Sequence, residues 1–485
     1  MSRALWTLVL LLGCAGGDKG ADDGGGDGAD GADGADGADG TEGGDGADGG
    51  EVGPQPAFAN PPEAIDEDDD PDVVHYTLTA GTAVHDIVDW PHGETASFDG
   101  YAYNGGLPGP TLRAKVGDTV VVDIINDLDT PTTVHWHGIA VPYAYDGVTW
   151  SDAPIAPGDH FRVEFVATEA GVAWYHPHFD TELQVDRGLY GVFIIEDPAD
   201  PPVDRELIMV IDDWAVGVDL PEDAGHVHGA RGAEGLWTVN GLVRPALALS
   251  AGETVRVRAV LTSNEGYVKL DAADVAFDMI GRDTVSLPVP EVPDSEVMAP
   301  GDRLDMLWRV GSDSFTLFDH PYSLHGGDSI GDPAPLMDVV VTGDAGVPAL
   351  SGWPTTAVLP SDDPPYTDLH YTFQGDPNSD VWRINGERFP DVTVPQLALG
   401  TEVIVQVRNV SATEHPFHVH GLHFEVLSID GVPPAQRTIE DNANIGIYET
   451  VRLKVVADNP GFWMTHCHIL PHADGGMMTV IEVAE

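Results

Sequence analysis

The sequence predicts an all-β protein made of three consecutive β-sandwich domains. Three observations carry this expectation. Glycine and proline are abundant, at 57 and 38 residues, and they punctuate short runs in which Val, Ile and Thr alternate with polar residues, the pattern of half-buried strands. At 485 residues the chain is too long for one ordinary core, so about two to four domains are expected. One segment also occurs three times: "YNGGLPGPTLRAKVGDTVVVDIIND" from Tyr103, "VNGLVRPALALSAGETVRVRAVL" from Val239 and "INGERFPDVTVPQLALGTEVIVQVRN" from Ile384. Each copy has Asn-Gly, a proline, an apolar strand, a glycine turn and a second alternating strand, and the period of about 140 residues is the size of one domain.

The elements follow in chain order. Residues 1–14, "MSRALWTLVLLLGC", give a basic Arg3, an apolar run and a small residue before Cys14, the layout of a signal peptide. The run is shorter than the ~20 residues a membrane-spanning helix needs. Its end, "LLGC", resembles a bacterial lipobox, which implies lipidation of Cys14 and an exported, lipid-anchored protein of the cell envelope, at the periplasm or outer surface. Residues 15–72 are rich in Gly, Ala and Asp, contain "GADGADGADGADG" and end near "DEDDDPD". Low hydrophobicity and one-sided charge predict a disordered, self-repelling spacer, and without proline at X or Y its Gly-X-Y period does not suit a collagen helix. The three sandwich domains are expected at residues 73–199, 200–355 and 356–485.

Aligning the copies on turn glycines Gly117, Gly252 and Gly400 exposes a pattern. The eighteenth and twentieth residues beyond Gly117 are His135 and His137, in "HWHG", and the same offsets from Gly400 reach His418 and His420, in "HVHG". From Gly252 they reach Leu270 and Ala272. Near the domain ends "GVAWYHPH" matches "GFWMTHCH", setting His176 against His466, Pro177 against Cys467 and His178 against His468. The outer copies thus carry four His-X-His pairs and the middle copy none. This points to one site between the first and third domains, with the second as a spacer.

Residues two apart on a strand face the same way, ~7 Å apart, while the residue between faces the opposite way. Each pair can therefore present both imidazoles to a shared cluster. Imidazole suits copper, iron, zinc and nickel, but eight imidazoles with a thiolate nearby favour copper. If His466 and His468 face the cluster, Cys467 faces a separate site. A thiolate with two histidines and a weak axial methionine makes a blue-copper electron-transfer centre. His472, Met477 and, from "HPFHVH", His415 complete that set.

With "HWHG", "HPH", "HPFHVHG" and "HCHILPHADGGM" present in order, the chain resembles the multicopper oxidases, laccase-like proteins of three cupredoxin-like Greek-key domains, over roughly residues 73 to 485. The resemblance implies four coppers per chain. His415, Cys467, His472 and Met477 resemble type 1 ligands, and His135 and His418 the type 2 pair. His137, His176 and His468 resemble the ligands of one type 3 copper, and His178, His420 and His466 those of the other. It also implies that a small reducing substrate gives up single electrons at the type 1 copper. These pass through Cys467 and its flanking histidines to the trinuclear cluster, where O2 is reduced to water. Asp146, in "YDGV", resembles an acid that assists the type 2 side. Some bacterial relatives place a proton-relaying glutamate after the last type 1 histidine; here that position is Ala473, so Asp474 or another carboxylate takes over, or protons enter elsewhere.

An axial methionine in this family implies easily oxidised substrates, namely electron-rich phenols, aromatic amines or low-valent metal ions. The nine methionines form no evident Met-rich insert of the cuprous-oxidase kind, so phenols and amines come first, with Cu(I), Fe(II) or Mn(II) oxidation as the alternative. A copper-free structural cupredoxin of the envelope predicts missing ligands, and a two-domain nitrite reductase an incomplete type 3 set; neither is seen. The formal charge of -60 excludes nucleic acid and anionic membrane surfaces as partners, which require basic patches, so membrane association rests on the N-terminal anchor alone. Among the remaining histidines, His226 and His228 have metal-like spacing in a Gly-rich loop. His320, His325 and His370 read as loop residues, and His423 as a neighbour of the copper motif rather than a ligand.

Overall fold

The computed structural model describes residues 53–148, 150, 153–215, 235–324, 331–376 and 381–484. Cys14 and most of the acidic spacer, together with His226, His228 and His325, lie outside the described residues. The architecture is all-β; each outer repeat forms a pair of facing sheets, and the described residues of the middle one form sheets of six, three and two strands. In the first, strands Glu94–Tyr103, Val73–Asp89, Thr119–Asn126 and His160–Val166 form one sheet, and Leu112–Lys115, Gly191–Glu196, Gly171–His176 and His135–His137 the other. Tyr76, Val122, Trp136, Tyr175 and Phe193 fill the space between them.

The later repeats reuse this plan. The opening strand pairs in parallel with the strand after the turn glycine in all three copies: Val73–Asp89 with Thr119–Asn126, Arg205–Ala215 with Thr254–Leu261, and Leu369–Asp376 with Glu402–Asn409. The strand before the turn glycine pairs in parallel with the last strand of its own repeat, as in Leu112–Lys115 with Gly191–Glu196 and Gln396–Ala398 with Met478–Ala484.

The Asn-Gly motif explains why each copy begins as it does. Asn104, Asn240 and Asn385 have φ of 52°, 55° and 56°, and the glycine after each is also left-handed, the backbone that two-residue hairpin turns require. Each asparagine then clamps the opening strand. Asn104 Nδ2 donates to Thr77 O while its Oδ1 accepts from Thr79 N. Asn240 does the same with Ile208 and Val210, and Asn385 with His370 and Thr372.

Two expectations change. Residues 53–72, expected within the spacer, run along the folded domains: Phe58 N donates to Ala246 O, Ala64 N to Thr111 O and Glu67 N to His75 O. The cause is composition, since "PQPAFANPP" departs from the Gly/Ala/Asp pattern and lets Phe58 pack on the middle-domain core and Pro61 become buried. His370, read as a loop residue, lies in strand Leu369–Asp376. His320 follows the strand Phe315–Asp319 and pairs with Asp274 at 2.9 Å.

The middle repeat does more than space the others. Arg303, fully buried, donates from Nε to Val172 O of the first repeat and from its Nη2 to the Asp441 carboxylate of the third, while Asp283 lies 3.2 Å from Nη1. No helix among the described residues is long and apolar enough to cross a membrane.

Candidate metal centre

The strands set the geometry. His135–His137 pairs antiparallel with Gly171–His176, placing His135 opposite His176. His415–Val419 pairs with Gly461–Cys467, placing His418 opposite His466 and Phe417 opposite Cys467. The same register in both outer repeats aims their histidines at each other across the domain boundary. In the middle repeat Leu270 and Ala272 occupy the equivalent positions and join its hydrophobic core.

Eight imidazoles converge there. His418 Nε2 lies 3.4 Å from His135 Nε2. His466 Nε2 lies 3.4 Å from His178 Nε2 and 3.1 Å from His420 Nε2. His137 stacks on His418 with ring centres 3.7 Å apart and lies 4.9 Å from the ring of His468, which is 5.7 Å from that of His176. All eight residues are buried.

The outer partners fix which nitrogen faces inward. Nδ1 of His135, His176, His418 and His466 donates to the backbone carbonyls of Asp146, Pro177, Asp441 and Cys467 at 2.8–3.0 Å. A carbonyl can only accept, so Nδ1 carries the proton and Nε2 keeps its lone pair for a metal, the usual support of a ligating imidazole. The Asp146 carboxylate joins both halves, accepting from His420 Nδ1 at 3.0 Å and lying 3.2 Å from His135 Nδ1.

Burial, reinforced by the neighbouring imidazoles, lowers the pKa of His137, His176, His178, His420, His466 and His468. The rings are therefore neutral, the form that binds metals. Both ring nitrogens of His468, Nδ1 of His137 and Nε2 of His176 are buried without a hydrogen-bond partner. Such orphaned nitrogens are costly in a dry interior, and a metal ion accepting their lone pairs removes that cost. The residues present fit a metal cluster.

A second set lies on the other side of the Cys467 strand. Cys467 Sγ is 3.5 Å from His415 Nδ1 and 3.6 Å from His472 Nδ1, and His415 Nε2 is held by the Ser411 hydroxyl at 2.7 Å. Met477 is fully buried in the same core cluster, and its carbonyl accepts from Cys467 N. Burial pushes the Cys467 thiol pKa up, so a thiolate here needs an adjacent cation, which a bound metal supplies. One sulfur and two imidazoles form a soft donor set suited to copper, with Met477 in the same buried core cluster.

Asp474 does not join either set. It closes the short helix Leu470–Asp474, exposed, and among the described residues it makes no hydrogen bond or ion pair with a histidine. His423 pairs with Glu169 at 3.2 Å and lies 3.9 Å from Asp441, a neighbour of the site and not part of the cluster.

Sequence reasoning missed Asp441. Its Oδ1 lies 3.0 Å from His137 Nε2 and 3.4 Å from His418 Nδ1. Burial alone would raise its pKa, but Arg303 and then His418 hold it well below the carboxylate range. No spacing signal marks "EDNA", because Asp441 arrives from the bend between strands Ile439–Glu440 and Asn442–Ile445. Trp382 was also missed; its indole lies on His472 with ring centres 3.5 Å apart.

Residues 90–200 and 362–485 match family models described as multicopper oxidase. A multicopper oxidase of Staphylococcus aureus is 31% identical over 404 residues, covering 79% of this chain and 83% of the relative. Laccase-4 of Trametes villosa is 27% identical over 462 residues, covering 78% and 84%. The solved structure of a multicopper oxidase from Pseudomonas thermotolerans superimposes with a TM-score of 0.69 at 30% identity, covering 85% of this chain and all of that one. With both donor sets intact and relatives matching along most of its length, the chain is a copper-dependent oxidoreductase that belongs to the multicopper oxidase family.

Proposed function

We propose that this enzyme oxidises phenols or aromatic amines one electron at a time at a type 1 copper held by His415, Cys467, His472 and Met477, and delivers the electrons to dioxygen at a trinuclear cluster. In this reading His135 and His418 hold the type 2 copper. His137, His176 and His468 hold one type 3 copper, and His178, His420 and His466 the other. The carrying observation is the alternation at His466, Cys467 and His468, whose side chains reach one histidine cluster, the sulfur site and the cluster again.

Bound copper supplies a one-electron acceptor at the sulfur and the four-electron reduction of O2 to water at the cluster. The protein contributes the rest. The Cys467 backbone gives a covalent route between the sites, carbonyl acceptors hold the Nδ1 protons of His135, His176, His418 and His466 in place, and burial keeps bulk water from the imidazoles. Asp146 ties His135 of one domain to His420 of the other, so it positions both sides of the cluster.

Copper analysis is expected to give about four ions per chain, the number in the family's ligand pattern. Oxygen uptake is then measured against phenols, Cu(I), Fe(II) and Mn(II). Uptake with phenols at a higher kcat/KM supports the proposal, and uptake confined to metal ions overturns the substrate class. The metal-ion reading draws support from the charge of -60, which concentrates cations near the surface. We also propose export and lipid anchoring through Cys14. Mass spectrometry of the mature N-terminus checks this, and an unlipidated N-terminus upstream or downstream of Cys14 rejects it.

A further inference from the structure

The sulfur site is closed to solvent except at one residue. Cys467, His415 and Met477 are fully buried, and His472 is 8% exposed. A donor therefore works from the surface over the loop that joins His472 to Met477. The Asn-Gly turn of the third repeat covers that loop. Arg388 Nε donates to Gly475 O at 2.9 Å, and Phe389 N to Gly476 O at 3.2 Å. The arginine stem lies flat on Gly476, where a Cβ would sit 2.2 Å from its Cγ. Beside it Phe389 meets Trp150 of the first repeat with ring centres 5.4 Å apart, and Trp150 is exposed.

Position 388 departs from its counterparts. The third residue after the repeated asparagine is Leu107 in the first copy, Val243 in the second and Arg388 in the third. Leu107 and Val243 pack in one apolar cluster, whereas Arg388 is exposed. Its guanidinium pairs with no carboxylate among the described residues. The adjacent Glu387 is taken by Thr393 N and Oγ1, both at 2.7 Å, and Asp474, earlier in the loop, accepts from Glu182 N. A guanidinium left unpaired in so acidic a chain offers its Nη fork to an anion from outside, and the two rings beside it offer apolar faces to an aromatic body. We infer that Arg388, Trp150 and Phe389 form the docking site for a phenol that carries a carboxylate, with the Nη groups holding the carboxylate and the rings the aromatic body. This rests on the phenol reading proposed above and narrows it. The same charge repels metal cations. The docked phenol gives one electron, by way of His472, to the metal centre at Cys467 and its hydroxyl proton to bulk water, leaving a phenoxyl radical whose carboxylate is unchanged.

The test uses the full copper-loaded chain with ferulate, its neutral methyl ester or Fe(II). Each donor is mixed anaerobically over a range of concentrations, and loss of the blue absorbance is timed to give an apparent Kd and a limiting rate. The reduction potential of the centre is titrated alongside. Arg388→Gln is expected to raise the apparent Kd for ferulate about tenfold, the cost of one charge-assisted contact. The limiting rate, the ester and the potential stay as in wild type, and Fe(II) reacts no more slowly. Arg388→Lys keeps the charge and recovers part of the loss, and Trp150→Ala weakens ferulate and ester alike. A wild-type Kd for ferulate in Arg388→Gln, or an equal loss with the ester or Fe(II), overturns the role of Arg388. If Arg388→Gln holds no copper, competition in wild type decides. Cinnamate, which has no hydroxyl to oxidise, should compete with ferulate about tenfold better than methyl cinnamate, and equal competition or none overturns the site. A wild-type centre reduced by Fe(II) but by neither ferulate nor its ester overturns the phenol reading instead, a result distinct from the others.

Discussion

At Cys467 strand geometry sends the sulfur toward one donor set and the rings of its two neighbours toward another. Cys467→Ser is expected to abolish the blue absorbance while the histidine cluster still binds copper, measured by visible absorption together with copper content. Asp146 makes a second prediction at this scale. Its two oxygens face Nδ1 of His420 and His135, and an amide in its place turns one acceptor into a donor. Asp146→Asn is expected to lower oxygen consumption roughly tenfold to a hundredfold, the usual cost of losing a partner that orients a ligand, with reduction of the sulfur site by substrate unaffected. The convergence of the histidines was legible because their spacing repeats between the outer repeats. Asp441, Arg303 and Trp382 were not, since each reaches the site from a segment outside the histidine motifs and belongs to no local motif.

At the scale of elements, the three Asn-Gly turns and their clamps were readable as repeats, and the parallel pairings were not, because register between distant strands leaves no local trace. The boundary of the acidic spacer was misplaced because charge dominates the composition of residues 15–72 while a few apolar residues near Phe58 decide the packing. Turn geometry makes a prediction where it meets the core. Gly421 has φ of 61°, and a Cβ there would lie 2.2 Å from the Trp463 ring. Gly421→Ala should cost about 3 kcal/mol in unfolding free energy, from backbone strain and overpacking together, measured by denaturant melts. Two carboxylates set opposite pH responses. Burial raises Glu206, but Arg258 and Arg113 override it and lower its pKa. Its contribution is present above the ordinary carboxylate range and is lost as pH falls through the lowered value. Burial, and then the Asp283 carboxylate, push Glu440 up to about 8. Its contribution is full below the ordinary glutamate range and is lost as pH rises toward that value. Thermal melts of Glu440→Gln are therefore expected to show a gain over wild type near pH 8 that vanishes in acid, and a gain independent of pH would refute this.

At the scale of the whole molecule, a formal charge of -60 makes self-repulsion the leading long-range term. Raising salt shortens the screening length to about 3 Å at 1 M, so the melting temperature is expected to climb with ionic strength. Arg303 resists that repulsion at one point, joining Val172, Asp283 and Asp441 across three repeats. Arg303→Met strands buried carboxylates without a partner and should cost about 3–5 kcal/mol, read as a lowered denaturation midpoint. Three domains were legible from the period alone; that the middle one reaches both neighbours was not, because its histidine-free repeat gives no hint of the arginine. The histidine cluster has a further consequence for the chain as a polymer. His135 and His418 lie 283 residues apart in sequence yet 3.4 Å apart in space, so a copper ion held by both closes a long loop in the manner of a crosslink. Closing so large a loop removes much of the freedom of the unfolded chain, and ligand binding to the folded state adds its own free energy. Metal-loaded protein should thus melt well above the chelator-stripped form. Neither terminal repeat carries all eight histidines, so ions bound by the whole cluster would be set only after the carboxy-terminal repeat has met the amino-terminal one.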